Sequence, residues 1–196
     1  AVESATDDIR EELRAVLREE SAFAPYVQSV PGRPRPQGNA MLDNPDWSAF
    51  YLWKDGAVVP GNAARCPRTI AALEGVPLCR LPDRSPSVLF SLLRPRTRIP
   101  PHNGLVNTRL ICHLPLIVPP GCGFRVGNET REWVEGKAWV FDDSIDHEAW
   151  NDSDQTRVIL LFEIWRPELT DRERTLLQSM FAAIDSAAGQ KPAWEI

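Results

Sequence analysis

The sequence lacks any continuous apolar run of about 18 residues, the length that a membrane-spanning helix requires. It also lacks an excess of positive charge, because 22 basic residues stand against 27 acidic ones and the formal net charge is −5. No basic stripe interrupts this balance, which argues against nucleic acid as the main partner. We therefore expect a cytoplasmic protein that acts on a small molecule or a peptide, with neither nucleic acid nor a membrane as its partner.

The four cysteines form neither a CxxC pair nor a regular framework, so they indicate no disulfide-rich scaffold. Free thiols are the expected state in the cytoplasm. A loop disulfide between Cys66 and Cys79 is the alternative, because these two residues are close in the sequence.

Short apolar segments separated by glycine and proline turns dominate the chain after residue 87. A turn signal at Lys54–Gly56 also predicts a hairpin between Phe50–Trp53 and Ala57–Val59. The further predicted strands are Val88–Leu93, Thr108–Val118, Gly123–Val126, Arg131–Val134, Ala138–Phe141 and Thr156–Trp165. Many short strands of this kind predict a mainly β domain, either a sandwich or a barrel.

Helical spacing of apolar residues is found near both ends of the chain. The predicted helices are Thr6–Ala22, Cys66–Glu74 and Glu168–Ala187. The residues of the last helix that are predicted to face the core are Leu176, Leu177, Met180, Phe181 and Ile184. We divide the chain into an N-terminal helix with a proline- and arginine-rich loop, residues 1–40, and a β domain, residues 41–196, within one globular domain.

Three predicted strands each carry one polar residue where the pattern favours an apolar one: Ser91, His113 and Arg157. The last of these strands is apolar on both faces, so its arginine is predicted to point into a partly buried space. A buried guanidinium is costly unless it meets an anion, and a carboxylate suits it best. The protein could supply that carboxylate from Glu163 or Asp143, or a small dicarboxylate ligand could supply it.

His102 and His147 are the candidate metal ligands. Neutral imidazole binds Fe, Zn, Cu and Ni alike. Each histidine has polar neighbours that could orient its ring, which are Asn103 for the first and Asp143 and Asp146 for the second.

The position that would provide a third metal ligand is occupied by Gly104. Non-haem iron oxygenases commonly use two histidines and one carboxylate, and the carboxylate usually lies two residues after the first histidine. Either the site has two protein ligands and extra water, or Asp143 completes it directly or through a water. A zinc hydrolase with His113 as third ligand and a cupin-like barrel without oxygen chemistry are alternatives.

The segment Ser91–Thr170 resembles the catalytic domain of the aspartyl/asparaginyl β-hydroxylase family. The matching residues are Ser91, His102-Asn-Gly104, Asn107-Thr-Arg109, His113-Leu114, Phe141-Asp-Asp-Ser144, His147, Trp150-Asn151, Arg157 and Trp165-Arg-Pro-Glu-Leu-Thr170. Looser similarity extends back to about Trp47, and residues 1–40 lie outside it. These proteins are Fe(II)- and 2-oxoglutarate-dependent oxygenases, so the resemblance implies a double-stranded β-helix of the jelly-roll or cupin-like type, with flanking N- and C-terminal helices.

The resemblance also implies roles for the unusual residues. Fe(II) would be bound by His102 and His147, and a glycine at position 104 is expected. Asp143 would act near the metal through bound water. The residues that would hold 2-oxoglutarate are Ser91, Arg157 and His113. The implied reaction hydroxylates a C–H bond of an amino acid, a peptide or a small metabolite, with release of succinate and CO2.

One residue departs from the family pattern. The family usually has an arginine two residues before the histidine at position 113, and here that residue is Ile111. Arg109, Ile111 and His113 would share one face of a strand. The departure argues against an aspartyl side chain as substrate, unless Arg109 or Arg125 provides the missing cationic contact to the substrate or the cosubstrate.

Overall fold

Two antiparallel β-sheets enclose the space in which the candidate site lies. The computed structural model describes residues 2–29 and 40–188. In chain order, the strands of the described ranges are β1 Ala24–Pro25, β2 Trp47–Lys54, β3 Ala57–Val58, β4 Val88–Leu93, β5 Thr97–His102, β6 Arg109–Ile117, β7 Cys122–Val126, β8 Glu129–Arg131, β9 Trp139–Phe141, β10 His147–Asn151 and β11 Arg157–Trp165. The major sheet has the order β1-β2-β4-β11-β6-β9, with β3 paired to β2, and the minor sheet has the order β5-β10-β7-β8. This is the predicted double-stranded β-helix.

Two of the helices cover the outer face of the major sheet. The helices in the described ranges are α1 Thr6–Leu17, α2 Pro60–Ala63, α3 Pro67–Ala72 and α4 Asp171–Ala188. Ile9, Leu13 and Val16 of α1 join one buried cluster with Phe90 and Leu160, which point outward from β4 and β11. Both faces of the central strands are therefore covered, which explains why β11 is apolar on both sides. None of the helices in these ranges is long and apolar enough to cross a membrane.

Most predicted strands are confirmed to within one or two residues, but β1, β5 and β10 were missed. β5 contains Pro100 and Pro101, which normally argue against a strand. It lies at the edge of the minor sheet and pairs with β10 only, so the missing N–H groups leave no neighbour unsatisfied. The predicted strand Arg131–Val134 was wrong, because β8 pairs with β7 through Glu129–Arg131.

The N-terminal helix is shorter than predicted, since α1 ends at Leu17 and only a 3₁₀ turn follows at Glu20–Ala22. A buried carboxylate holds this helix in place. Glu12 accepts hydrogen bonds from the backbone N–H groups of Arg68 and Thr69 at 2.8 and 2.9 Å, at the first turn of α3. The predicted loop at residues 31–38 lies outside the described residues.

The prediction for the apolar residues of the last helix was wrong for three of them. Leu176, Met180 and Ile184 are 58%, 46% and 47% exposed. Phe181 is buried, and Leu177 packs against its cluster, so α4 rests on the domain through a narrower stripe than the pattern indicated.

The four cysteines lie in the described ranges and are all free and buried, so the alternative disulfide between Cys66 and Cys79 is not formed. Burial raises the pKa of Cys66, Cys79 and Cys112 to about 12. Thiols with such a pKa stay protonated and are poor nucleophiles at neutral pH.

Candidate functional site

One cavity between the two sheets brings together every residue that the sequence predicted for the site. These residues are Ser91, His102, Arg109, His113, Asp143, His147 and Arg157. The cavity has a volume of about 110 Å³, several times the space that one water molecule needs. Strands of both sheets contribute, because inward-facing side chains alternate with outward-facing ones along each strand.

His102 and His147 lie opposite each other in the minor sheet, as direct partners in the β5–β10 register. Their ring centroids are 4.1 Å apart. Each Nδ1 lies against the backbone carbonyl two residues earlier, at 2.7 Å from Pro100 O and 2.8 Å from Ile145 O. A carbonyl oxygen can only accept, so each Nδ1 carries the proton and each Nε2 has a free lone pair.

Both imidazoles are held in the neutral form that binds metals. Burial lowers the pKa of His102 below its ordinary value. Burial and the adjacent His102 lower the pKa of His147 to about 4. At neutral pH the pair therefore offers two uncharged nitrogen donors to one metal ion.

Gly104 is required by the side chain of Asp143. A Cβ atom built on Gly104 would collide with the Asp143 carboxylate. The N–H of Gly104 also donates a hydrogen bond to the backbone carbonyl of Asp143 at 2.6 Å. The carboxylate of Asp143 thus fills the space that a side chain at position 104 would occupy.

Arg109 holds Asp143 in this place. Its Nη1 lies 2.9 Å from Asp143 Oδ2, and its Nε lies 2.9 Å from Glu163 Oε1. The other oxygen of Glu163 accepts hydrogen bonds from the Ser85 hydroxyl and from the Ser87 N–H. Burial raises the pKa of Asp143 to about 6, and the neighbouring Arg109 opposes this rise.

These ion pairs bear on two predictions. Glu163 and Asp143, the carboxylates that were predicted as internal partners of Arg157, are bound by Arg109 instead. Because Arg109 is occupied by these two ion pairs, the structure does not support its predicted contact with a cosubstrate. That role stays a prediction. Arg125 is paired in the same way, with Asp146 and Glu148.

Arg157 is the cation of the cavity that lacks a protein anion. Its side chain is 1% exposed, and among the described residues no carboxylate lies within 4 Å of it. Its guanidinium lies over the ring of Trp133 at 4.8 Å, and its Nη1 reaches the Ser91 carbonyl only at 3.5 Å. Burial lowers the pKa of Arg157 to about 10, so the group remains charged at neutral pH.

His113 lies beside Arg157 in a shell of aromatic rings. The rings of Phe124, Trp139 and Phe141 lie 5.0 to 5.3 Å from it. Burial, reinforced by the charge of Arg157, lowers the pKa of His113 well below its ordinary value. Three buried nitrogens at this end of the cavity, His113 Nδ1, Trp133 Nε1 and Arg157 Nε, have no hydrogen-bond partner among the described residues.

The alternative zinc site with three histidines is not formed. Across residues 2–29 and 40–188, no group of three or more His, Cys, Asp or Glu side chains is arranged to hold a metal ion.

The hydroxyl of Ser91 is bound by a tryptophan of the cavity lining. Its Oγ accepts a hydrogen bond from Trp47 Nε1 at 3.3 Å. Trp47 and Trp133 both line the cavity, and the sequence analysis assigned neither of them to the site.

Comparison with known proteins identifies the family of this chain. The sequence profile described as "Aspartyl/Asparaginyl beta-hydroxylase" matches residues 3–167. The chain belongs to the aspartyl/asparaginyl beta-hydroxylase family. The match to this hydroxylase family begins at residue 3 and so includes α1, which the sequence analysis had placed outside the resemblance.

Relatives in this family have different names and lengths. The aspartyl/asparaginyl beta-hydroxylase of Mus musculus is 38% identical over 146 residues, which are 74% of this chain and 20% of the relative. Human aspartate beta-hydroxylase domain-containing protein 2 is 38% identical over 75% of this chain and 41% of the relative. The ornithine lipid ester-linked acyl 2-hydroxylase of Rhizobium tropici is 35% identical over 81% of this chain and 54% of the relative. The chain thus spans between about one fifth and one half of the length of these relatives.

Solved structures that are similar to this chain include a cupin domain from Schizosaccharomyces pombe. It is 9% identical, with a TM-score of 0.42, and the alignment covers 79% of this chain and 78% of that one. A predicted oxalate decarboxylase from Thermotoga maritima is 12% identical, with a TM-score of 0.40, over 61% of this chain and 81% of that one.

The close contact between Gly104 and Asp143 gives the first testable prediction. Gly104→Ala should lower the free energy of unfolding of the metal-free protein by about 1–3 kcal/mol, because the added methyl displaces a carboxylate that is held in an ion pair. Urea denaturation measures this change. Gly61→Ala is the matched control: no described atom lies within 4 Å of a Cβ there, so it should shift stability by about 1 kcal/mol or less.

The same substitution in an Asp143→Ala variant identifies the cause of that destabilisation. In Asp143→Ala, the space beside position 104 is open, and adding Gly104→Ala should cost much less than it does in the wild type. An equal cost in both backgrounds would contradict the proposed contact.

Proposed function

We propose that this chain is an Fe(II)- and 2-oxoglutarate-dependent oxygenase that hydroxylates a C–H bond of an amino acid, a peptide or a small metabolite. The reaction would consume one O2 and one 2-oxoglutarate. One oxygen atom enters the substrate as a hydroxyl group, the other enters succinate, and CO2 is released. Two electrons come from the cosubstrate and two from the substrate C–H bond, which together reduce O2. Membership of a hydroxylase family supports this reaction class.

The observation that carries the proposal is the unpaired guanidinium of Arg157. Burying a charge to this degree without a carboxylate costs several kcal/mol of free energy. A bound anion would recover a free energy on the order of this cost. The cavity beside it is continuous with the two metal-binding histidines. A ligand that fits both features has a carboxylate at one end and a metal-chelating group at the other, and 2-oxoglutarate has both.

The donor set suits Fe(II). His102 and His147 each present a neutral imidazole whose proton is fixed on Nδ1, so both Nε2 atoms can bind a metal. Two protein ligands leave several coordination positions for water, cosubstrate and oxygen. When bound, Fe(II) would supply the activation of oxygen, which amino-acid side chains cannot provide.

We propose that Asp143 interacts with a water molecule that is bound to the metal. The side chain occupies the place of the absent ligand at position 104, and Arg109 prevents it from turning away. We propose that the carboxylate accepts a hydrogen bond from a metal-bound water and so orients it. Glu163, at the other side of Arg109, would keep the guanidinium in position.

Ser91, His113 and Arg157 would form the cosubstrate subsite. The strand register places them together, because Ile159 of β11 lies opposite Ser91, and Leu161 lies opposite His113. The aromatic rings around His113 exclude water, which strengthens a charge-assisted hydrogen bond to the cosubstrate. Exclusion of water also limits side reactions.

The direct test is succinate formation. Purified protein with Fe(II), ascorbate and 2-oxoglutarate should release succinate, and suitable substrates should stimulate the release. His102→Ala and His147→Ala should each lower bound iron and abolish stimulated turnover, because each removes one of two protein ligands. Ile145→Ala is the matched control, since this neighbour of His147 is 47% exposed and should retain both properties. The absence of succinate under all conditions, with unchanged metal content in both histidine variants, would exclude the oxygenase proposal.

Arg157→Ala tests the cosubstrate subsite separately. Loss of a charge-assisted pair of about 3 kcal/mol should raise the KM for 2-oxoglutarate about 100-fold. Iron binding should remain, because Arg157 belongs to the other end of the cavity. Arg96→Ala serves as control, since this arginine is exposed and pairs with Asp154 at the surface. An unchanged KM in Arg157→Ala would show that 2-oxoglutarate binds elsewhere.

A further inference from the structure

The side of the cavity that faces the two metal-binding histidines is apolar and aromatic. Five cavity-lining residues, which we call the apolar wall, are Tyr26, Tyr51, Ile111, Phe141 and Leu161. They belong to one hydrophobic cluster on the inner face of the major sheet. Ile111 and Leu161 are 6% and 9% exposed, so the wall is densely packed rather than a scatter of surface groups.

The apolar wall adjoins the metal-binding residues. The ring of Phe141 lies 5.2 Å from the ring of His147. Tyr26 stacks on Trp47 at 4.2 Å, and the Trp47 ring lies 6.1 Å from that of His102. A substrate that reaches the metal would therefore lie against the wall.

Ile111 gives the wall an apolar side chain beside Glu163, its direct partner across the β6–β11 pairing. It lies on β6 between Arg109 and His113, and opposite Phe141 of β9. The adjacent Arg109 cannot substitute without giving up its ion pairs with Asp143 and Glu163. Arg125 is likewise bound to Asp146 and Glu148.

With the proposed 2-oxoglutarate bound to Arg157, the remaining cationic groups of the cavity are also engaged. Arg84 pairs with Asp185 and lies over the ring of Phe181 at 4.9 Å. Lys54 lies over Tyr51 at 5.0 Å, at the turn of the β2–β3 hairpin beside Asp55. A carboxylate placed against Ile111 would lose its water and gain no free cation in return.

We propose that the segment of the substrate that is hydroxylated is uncharged and aliphatic, and that Ile111 sets this selectivity. The inference rests on the proposed oxygenase function and names the substrate class of the same site. The aliphatic segment could belong to an amino-acid side chain or to an acyl chain, because both bring methylene groups to the wall. Each methylene that is buried there strengthens binding about fourfold.

Binding of matched probes to the protein loaded with Fe(II) and 2-oxoglutarate, without oxygen, tests this inference. N-acetyl-leucinamide and N-acetyl-aspartamide (the capped aspartate with a free side-chain carboxylate) have similar shapes and differ in charge. Calorimetric titration should show that the leucyl probe binds at least tenfold more tightly. N-octanoylglycinamide forms a third arm, and its rank relative to the leucyl probe decides between an acyl chain and an amino-acid side chain.

Two substitutions assign the selectivity to Ile111. Ile111→Arg should reverse the preference in favour of the aspartyl probe. Ile111→Ala, which introduces no buried charge, should lower the affinity for the leucyl probe about tenfold. It should not raise the affinity for the aspartyl probe. Val134→Arg is the control for added charge, because Val134 is 63% exposed and lies outside the cavity lining. It should leave both affinities unchanged.

The outcomes separate this inference from the proposed function. If the aspartyl probe binds the wild type as tightly as the leucyl probe, or more tightly, the inference is overturned. This holds whichever contact causes that binding. Failure of every aliphatic probe to bind, or an unchanged preference in a folded Ile111→Ala, would also overturn it. In each case succinate formation from 2-oxoglutarate would still support the oxygenase. Absence of succinate, by contrast, would remove the proposed function itself.

Discussion

The arrangement of the cavity depends on a buried positive charge that no carboxylate of the described residues neutralises. Arg157 begins β11, in which eight of nine residues are buried, and its guanidinium remains protonated at neutral pH although burial lowers its pKa to about 10. The face of Trp133 offers only a partial substitute for an anion. Apolar clusters on both faces of the major sheet bury the side chains that stabilise the fold around this charge.

A second arginine, Arg109, differs from Arg157 because carboxylates of the protein neutralise its charge. Arg109 is buried among carboxylates and is fully engaged by Asp143 and Glu163. One arginine therefore fixes the protein's own carboxylates, and we propose that the other binds the carboxylate of a ligand. Gly104 belongs to the first arrangement, because only a residue without a side chain leaves room for the Asp143 carboxylate. His102 and His147, which we propose as the metal ligands, line the same cavity.

Much of this arrangement could be predicted from the sequence. Polar residues in apolar strands indicated Ser91, His113 and Arg157, which line the cavity, and the strand pattern indicated a sandwich or barrel. What the sequence could not show depends on long-range contacts. The strand β5 was missed because its prolines are tolerated only at a sheet edge, and edge position is a property of the whole fold. The partner of Arg109 could not be predicted, since Asp143 and Glu163 are distant in sequence and only the β6–β11 and β6–β9 pairings bring them together.

We propose above all that Arg157 binds the distal carboxylate of a 2-oxoacid that is chelated at the histidine pair. The most direct measurement compares the affinities of 2-oxoglutarate and 2-oxopentanoate for the Fe(II)-loaded protein in the absence of oxygen. The two molecules share the chelating end and differ mainly in the distal carboxylate. We predict that 2-oxoglutarate binds about 100-fold more tightly, as expected for a charge-assisted pair in a dry cavity. Equal affinities would contradict the claim.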